Sequence, residues 1–235
     1  MKVTYIYHSG FLIGTGNTAL LFDYYRGRIP SLPADTELLV FASHGHGDHF
    51  NPDIFRLADI YPKVRYYLSD DIRKESVPEN VLSRTVFVGP WERITEEAED
   101  GSARRIETLK SNDLGVAFTV EAEGHSFYHA GDLNDWWWDG GPEDLELQDL
   151  YRSELSKIRG RHFDAAFIPL DPRLQRPELG IADFLGEAGA EVIFPMHFWD
   201  DIGIIERMLS GPEGKMLPAS LVRIHGREEC FEIGG

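Results

Sequence analysis

Residues 38–60 read LLVFASHGHGDHFNPDIFRLADI, and this stretch decides how the chain is built. The apolar run Leu38–Ala42 reads as a buried strand. Asn51 as N-cap and Pro52 at the first helical position open a helix to about Ile60. Between strand and helix stand His44, His46, Asp48 and His49, which bring three of the nine histidines and an acid into six residues. Side chains two apart in extended chain point the same way, so His44 and His46 offer imidazoles to one ion. The turn that follows aims Asp48 and His49 toward a second ion. Gly45 and Gly47 lack a Cβ and are read as giving the backbone a tight path beside the ligands. Imidazoles and carboxylates without sulfur suit Zn2+ and its borderline neighbours.

Working outward, strands near 2–7, 10–14 and 18–23 form an antiparallel meander, with Gly14-Thr15-Gly16-Asn17 supplying a turn. After the helix at 52–60 come a strand at Val64–Leu68, a helix near 70–76, strands near 85–88 and 103–108, and a hairpin pairing 115–122 with 126–130. Leu145, Leu147, Leu150, Tyr151, Leu155 and Ile158 predict an amphipathic helix over about 143–159 lying on a sheet face. Strand 164–169, helix 181–188, strand 192–196, helix 203–209 and closing strands near 221–224 and 229–233 complete the order. Five apolar strands empty into acids or histidines: Asp23, His44, Asp132, Asp171 and His197. Strand ends that release polar side chains together build a crevice, where α/β proteins place ligands.

Composition narrows the functions. With 235 residues, 42% hydrophobic and 27% charged, the chain has the proportions of one domain spanning 1–235. Its net charge of −17 repels phosphate backbones and anionic lipid, so neither nucleic acid nor membrane is expected as partner; a small-molecule substrate is. Cys230 is the only cysteine, so no internal disulfide forms. With no export signal visible, a cytoplasmic location is expected.

The motif HxHxDH at His44–His49, followed by Gly131-Asp132 and a late strand-end histidine, His197, resembles the signature of the metallo-β-lactamase superfamily of hydrolases. The opening HSGFLIGTG…ALLFDYY is similar to the N-terminal hairpin of its small ascorbate-phosphate-lactonase-like branch. The resemblance implies a four-layer αββα sandwich, with two mixed sheets flanked by helices, and a site for one or two Zn2+ ions, with Mn2+ or Fe2+ as alternatives. Carried over by position, His44 and His46 hold the first metal. Asp48, His49 and His197 hold the second, and Asp132 bridges both.

One family ligand is missing, because no histidine occurs between His49 and His125. At the expected place stands Lys110-Ser111-Asn112-Asp113. Hairpin geometry puts Asp113 at the same end as Asp132 and His125 at the far end. Asp113 is therefore the expected substitute ligand or partner of a metal-bound water, against a plain turn-forming role. Carboxylate in place of imidazole favours harder ions.

The chemistry expected is hydrolysis of a small ester, lactone or phosphoester by a metal-bound hydroxide; if only one ion binds, Asp48 or Asp113 can instead orient or deprotonate the water. His8 is read as a substrate contact or a support to the site, against an ordinary surface histidine. His129 is read as a buried hydrogen-bonding group. Arg173 is set to grip a substrate carboxylate or phosphate, against a structural ion pair. Trp136, Trp137, Trp138 and Trp199 wall a pocket or shield a homo-oligomer contact. Two other classes remain open: a metal-binding sensor or scaffold with a degraded first site, and di-iron redox chemistry, against which stands His46 where those relatives carry glutamate.

Overall fold

The computed structural model describes residues 1–98 and 101–234, arranged as two mixed β-sheets packed face to face. The first sheet holds β1 (Lys2–Tyr7), β2 (Gly10–Thr15), β3 (Thr18–Phe22), β4 (Glu37–Ala42), β5 (Arg65–Ser69) and β6 (Thr85–Val88), with the one-turn helix α1 (Glu79–Leu82) preceding β6. Its opening meander is antiparallel, whereas β3 through β6 run parallel. The second sheet holds β7 (Arg93–Glu97), β8 (Ala103–Lys110), β9 (Val116–Ala122) and β10 (His125–His129) as an antiparallel run. Helix α2 (Pro142–Leu155), β11 (His162–Pro169), α3 (Leu179–Glu187) and β12 (Gly189–Met196) follow, and β10, β11 and β12 are parallel. After α4 (Gly203–Ser210), the chain returns to the first sheet as β13 (Cys230–Glu232), beside β1.

The apolar run of β4 has no polar face because both of its faces are covered. Leu39 and Phe41 point into the core between the sheets, with Phe11, Phe22, Phe118 and Phe167, while Leu38, Val40 and Ala42 face an outer layer with Ile54, Phe55 and Leu57. This is the expected αββα layering. No helix among the described residues is long and apolar enough to cross a membrane.

Several local expectations are corrected. Asn51 caps its helix as read, accepting from the Asp53 N–H at 2.9 Å, but Pro52–Asp59 winds as 3-10 helix. Tight winding lines up residues three apart, here the buried Ile54 and Leu57. Residues 70–76 are not helical apart from a 3-10 turn at Lys74–Ser76. Asp71 instead accepts a hydrogen bond from the Gly45 N–H at 2.8 Å and anchors the histidine loop. The unforeseen β7 reads RITEE, a charged edge strand with one apolar residue and no alternation to find. The stretch near 221–224 makes only an isolated bridge, Leu221 to Ile193.

Helix α2 also departs from its predicted stripe. Tyr151, Leu155 and Ile158 are buried, but Leu145 and Leu150 are exposed. Their places are taken by polar residues with loop partners. Asp144 accepts from the N–H groups of Trp138, Asp139 and Gly140 at 2.7–2.9 Å, and Glu154 accepts from the Trp91 indole and the Lys110 N–H.

Far from the strand ends that carry the histidines, a polar clasp joins the two sheets. Arg104 of β8, 1% exposed, donates to Glu37 of β4 at 2.7 Å and to Glu96 of β7 at 2.9 Å; Tyr67 of β5 also donates to Glu96. Removing one partner of a buried ion pair strands the others, at a cost of about 3–5 kcal/mol. Arg104→Met should therefore lower the unfolding free energy by about 3 kcal/mol or more, read as a shifted midpoint in urea; an unchanged midpoint would show that the clasp contributes nothing.

Candidate metal centre

Strand ends of both sheets meet at one side of the sandwich. β4 delivers Ser43 and His44, and the loop behind it turns on the His46 carbonyl, which accepts from the N–H groups of His49 and Phe50 at 3.0 and 2.9 Å. β10 delivers Gly131-Asp132, β11 delivers Asp171, and β12 delivers His197. The close approach depends on glycines other than those expected. A Cβ on Gly131 (φ +54) would lie 2.6 Å from the Ser43 Cβ, and one on Gly115 (φ +68) would lie 2.0 Å from the Ser43 carbonyl oxygen. Gly47 has open space around it and neither Gly45 nor Gly47 has positive φ. The tight path is where β9 and β10 wrap Ser43, not inside the histidine loop.

Asp132 occupies the focus. Its Oδ1 lies 3.1 Å from His49 Nε2 and 3.3 Å from His197 Nε2, and its Oδ2 lies 3.5 Å from His44 Nε2. Three hydrogen-bond chains fix which nitrogen each ring presents. His49 Nδ1 pairs with Asp23 Oδ2 at 2.7 Å, and His197 Nδ1 with Asp171 Oδ2 at 2.8 Å. His44 Nδ1 meets Ser43 Oγ at 3.0 Å, and that hydroxyl donates to Asp23 Oδ2 at 2.7 Å. In the neutral tautomer this network assigns, Nδ1 carries the proton and the Nε2 of each ring is the atom left to bind a cation beside the carboxylate. His44 Nε2, His49 Nε2 and Asp132 Oδ1 are buried without a hydrogen-bond partner.

A cation fits this convergence of donor atoms. Donor atoms of His44, His46, Asp113 and Asp132 lie within 4.8 Å of one another, as do those of His8, Asp48, His49 and His197. Four ligands at bond lengths of about 2.0–2.1 Å sit roughly 3.3 Å apart at a tetrahedral ion, close to the separations around Asp132. The donor set and the orphaned atoms thus fit metal ions. The pairing of His44 with His46, and of Asp48 with His49, is the one expected from the loop. Asp113 lies 3.7 Å from His46 Nδ1, at the expected end of a hairpin whose register pairs His125 with Ala122. Its N–H donates to Ser111 Oγ at 3.1 Å, so it is the Ser111 side chain that caps this turn.

The remaining residues fall as follows. His8 is fully buried, not a surface histidine, and lies among the second group. His129 donates from Nε2 to the Ser9 carbonyl at 3.0 Å and accepts at Nδ1 from the Gly131 N–H at 3.2 Å, holding the turn before Asp132. Arg173 makes a forked pair with Asp171, at 2.9 Å and 2.5 Å, and also lines the pocket over the centre. That pocket, about 370 Å³, has Trp136, Trp138 and Trp199 in its wall. Trp137 does not line it. Sequence reasoning left the roles of Asp23, Asp171 and Ser43 undecided. Two of them were visible as strand-end acids, but nothing in their spacing says that each steadies an imidazole.

Burial and neighbouring charge set the protonation. Burial pushes His8 down to about 4 and also lowers His44. Burial would raise Asp171, yet hydrogen bonds from His197 and Arg173 bring it down to about 2. Asp132 and Asp48 stay below the usual carboxylate range despite burial, because His49 and His197 face the first and His8 the second. His49 shifts the opposite way from His8 and His44: burial opposes its proton, but Asp132 and Asp23 outweigh it and hold its pKa well above 6.5.

Backbone strain concentrates here as well. His8 (φ 57), Asp23 (φ 42), His197 (φ 64) and Trp199 (φ 53) all adopt left-handed conformations costly for residues with a Cβ. Such strain persists where the surroundings over-determine it.

Comparison with known proteins bears on what this geometry is for. A family model for the beta-lactamase superfamily domain matches residues 2–136. The chain belongs to the metallo-β-lactamase superfamily. It is 34% identical over 213 residues to a UPF0173 metal-dependent hydrolase of Opitutus terrae, covering 84% of this chain and 85% of that protein. The solved structure of a metallo hydrolase from Ignicoccus hospitalis superposes with a TM-score of 0.60 at 16% identity, covering 99% of each chain. A metallo-beta-lactamase fold protein from Bacillus subtilis gives 0.61 at 17% identity, over 98% of this chain and 99% of that one. The chain is a metal-dependent hydrolase of this superfamily.

Two outcomes follow from the support of the ligands. Asp23→Asn should weaken metal binding by about 10–100-fold in chelator competition while far-UV circular dichroism is retained; unchanged affinity would remove Asp23 from the centre. The pH dependence has a definite sign. In the ion-free protein the raised His49 pKa contributes stability that is present below 6.5 and lost as pH rises through the folded value. Metal must displace that proton, so binding at neutral pH should release about one proton from His49 and weaken as pH falls. Calorimetry in buffers of different ionisation enthalpy reads this directly, and identical enthalpies in all buffers would contradict it.

Proposed function

We propose that the chain hydrolyses a small ester, lactone or phosphoester bearing an anionic group, with two metal ions held by its converging histidines and aspartates. The observation that carries this reading is the cluster of five imidazoles and three carboxylates, in which His46, His197, Asp48, Asp113 and Asp132 line a tryptophan-walled pocket and His8, His44 and His49 are buried behind them. Ions such as Zn2+, Mn2+ or Fe2+ bound there supply a Lewis acid for the substrate oxygen and lower the pKa of water.

The protein's own residues supply the rest. Asp132 contributes one oxygen to each group and ties the two together. Asp23 and Asp171 hold three imidazoles in the tautomer that leaves Nε2 free, so no reorganisation is needed when substrate arrives. Asp48 is ionised and a quarter exposed, which suits it to orient water or accept a proton at the pocket floor. Trp136, Trp138 and Trp199 exclude bulk water and offer ring faces to an apolar portion of substrate. Arg173 spends one edge of its guanidinium on Asp171, and its centre lies 5.7 Å from the rings of both Trp138 and Trp199. Its other edge is free to receive a carboxylate or phosphate, so the ion pair and the substrate contact are compatible.

The half-exposed Asp113 beside His46 speaks against a degraded first site, since four donors stand there without the missing histidine. A sensor would bind one saturated ion and turn nothing over, which counting ions per chain distinguishes. The test is a screen of metal-loaded protein against lactones, phosphodiesters and phosphomonoesters. Activity is expected in one class, falling at least about 10³-fold in Asp132→Asn and His197→Ala with solubility retained. Arg173→Met should raise KM for that substrate more than it lowers kcat. Undiminished turnover in both metal-ligand variants would sink this reading.

A further inference from the structure

The turn joining β1 to β2 contributes a histidine that the superfamily signature leaves without a task. The His8 backbone is fastened on both sides: its N–H donates to Tyr5 Oη at 3.0 Å, and its carbonyl accepts from the His197 N–H at 3.2 Å. Its ring is wedged against His197 and Trp199, with centroids 4.1 and 4.2 Å away. The side chain is wholly buried, and neither Nδ1 nor Nε2 has a hydrogen-bond partner. Nε2 stands 3.6 Å from Asp48 Oδ2, too far for a good hydrogen bond but close to the spacing of two ligands on one ion. A left-handed backbone at a residue with a Cβ, an imidazole with no partner and no route to water are all unfavourable unless something binds that ring.

We propose that His8 is a direct ligand of the second metal ion, completing a buried site of His8, Asp48, His49 and His197. This rests on the metal-dependent reading above and extends it. The two sites then differ in kind. The one containing His8 offers three imidazoles and a carboxylate with little exposure, and Asp132 Oδ1 stands beside it, so its ion is surrounded by protein. The one containing His46 and Asp113 offers two imidazoles and two carboxylates, and those two side chains are 48% and 46% exposed. The nitrogen-rich site favours a borderline ion and should fill first, whereas the more oxygen-rich one is open to solvent and accepts harder ions. Exchangeable coordination positions belong to the second ion to bind.

The test uses the full chain stripped of metal and titrated with Co2+, whose visible absorption reports the ligands around it, alongside His8→Gln and His8→Phe. Wild type should bind two equivalents in a tighter and a weaker class. Both variants should weaken the tighter class by about 10-fold or more and change its visible bands, while the weaker class is retained. His8→Phe keeps a ring against Trp199, so a role in packing alone would leave the bands of that variant unaltered. X-ray absorption of wild type carrying one equivalent of Zn2+ gives an answer independent of variant folding, with three imidazoles per ion expected. Two imidazoles in that spectrum, or unchanged Co2+ bands and affinities in both variants, would overturn the assignment. Failure of wild type to bind Co2+ or Zn2+ at all would instead overturn the metal-dependent reading beneath it.

Discussion

Three imidazole Nε2 atoms converging on one buried carboxylate form the constraint on which this molecule turns. Asp132 meets Nε2 atoms of His44, His49 and His197 at 3.1–3.5 Å; without an ion the His49 ring, set between Asp132 and Asp23, takes a second proton, whereas burial keeps the proton off His44. That arrangement draws in positive charge, whether as a proton on His49 or as a bound cation. Asp23 and Asp171, each fully buried, keep it from relaxing. The support is shared rather than duplicated, since Asp23 serves His49 directly and His44 through Ser43.

The two sheets make the convergence affordable. Parallel strands β3–β6 and β10–β12 release their C-terminal ends on the same side, so residues far apart in sequence arrive together. Glycines at 115 and 131 let the second sheet close on Ser43 of the first, and the phenylalanines between the sheets fix the distance at which they meet. The strained backbone at His8, Asp23, His197 and Trp199 is carried by that packing.

Much of this was legible beforehand, for physical reasons. The six-residue motif declares itself because metal ligation restricts residue type, and strand period restricts which ligands share an ion. Asp113 was reachable because a hairpin's register follows from its turn, although its part in holding metal rests on proximity to His46. What escaped notice had no local signature. Arg104 looks like any exposed arginine until Glu37 and Glu96 are brought to it from two other strands. The leucines of α2 suggested a buried stripe, but the helix's own carboxylates Asp144 and Glu154, which accept from N–H groups outside the helix, claimed the inward face. His8, judged as an isolated residue, resembled a surface histidine; only the return of β12 beside it shows where its ring lies.

Asp171 holds His197 with one oxygen and engages Arg173 with both, so a single side chain stands between the floor of the pocket and its rim. Retuning the rim for a differently charged guest by replacing the arginine alters the electron density available to the imidazole behind it. Selectivity and ion retention are therefore not separate knobs in this protein. A lineage that changes its diet must also renegotiate its hold on metal.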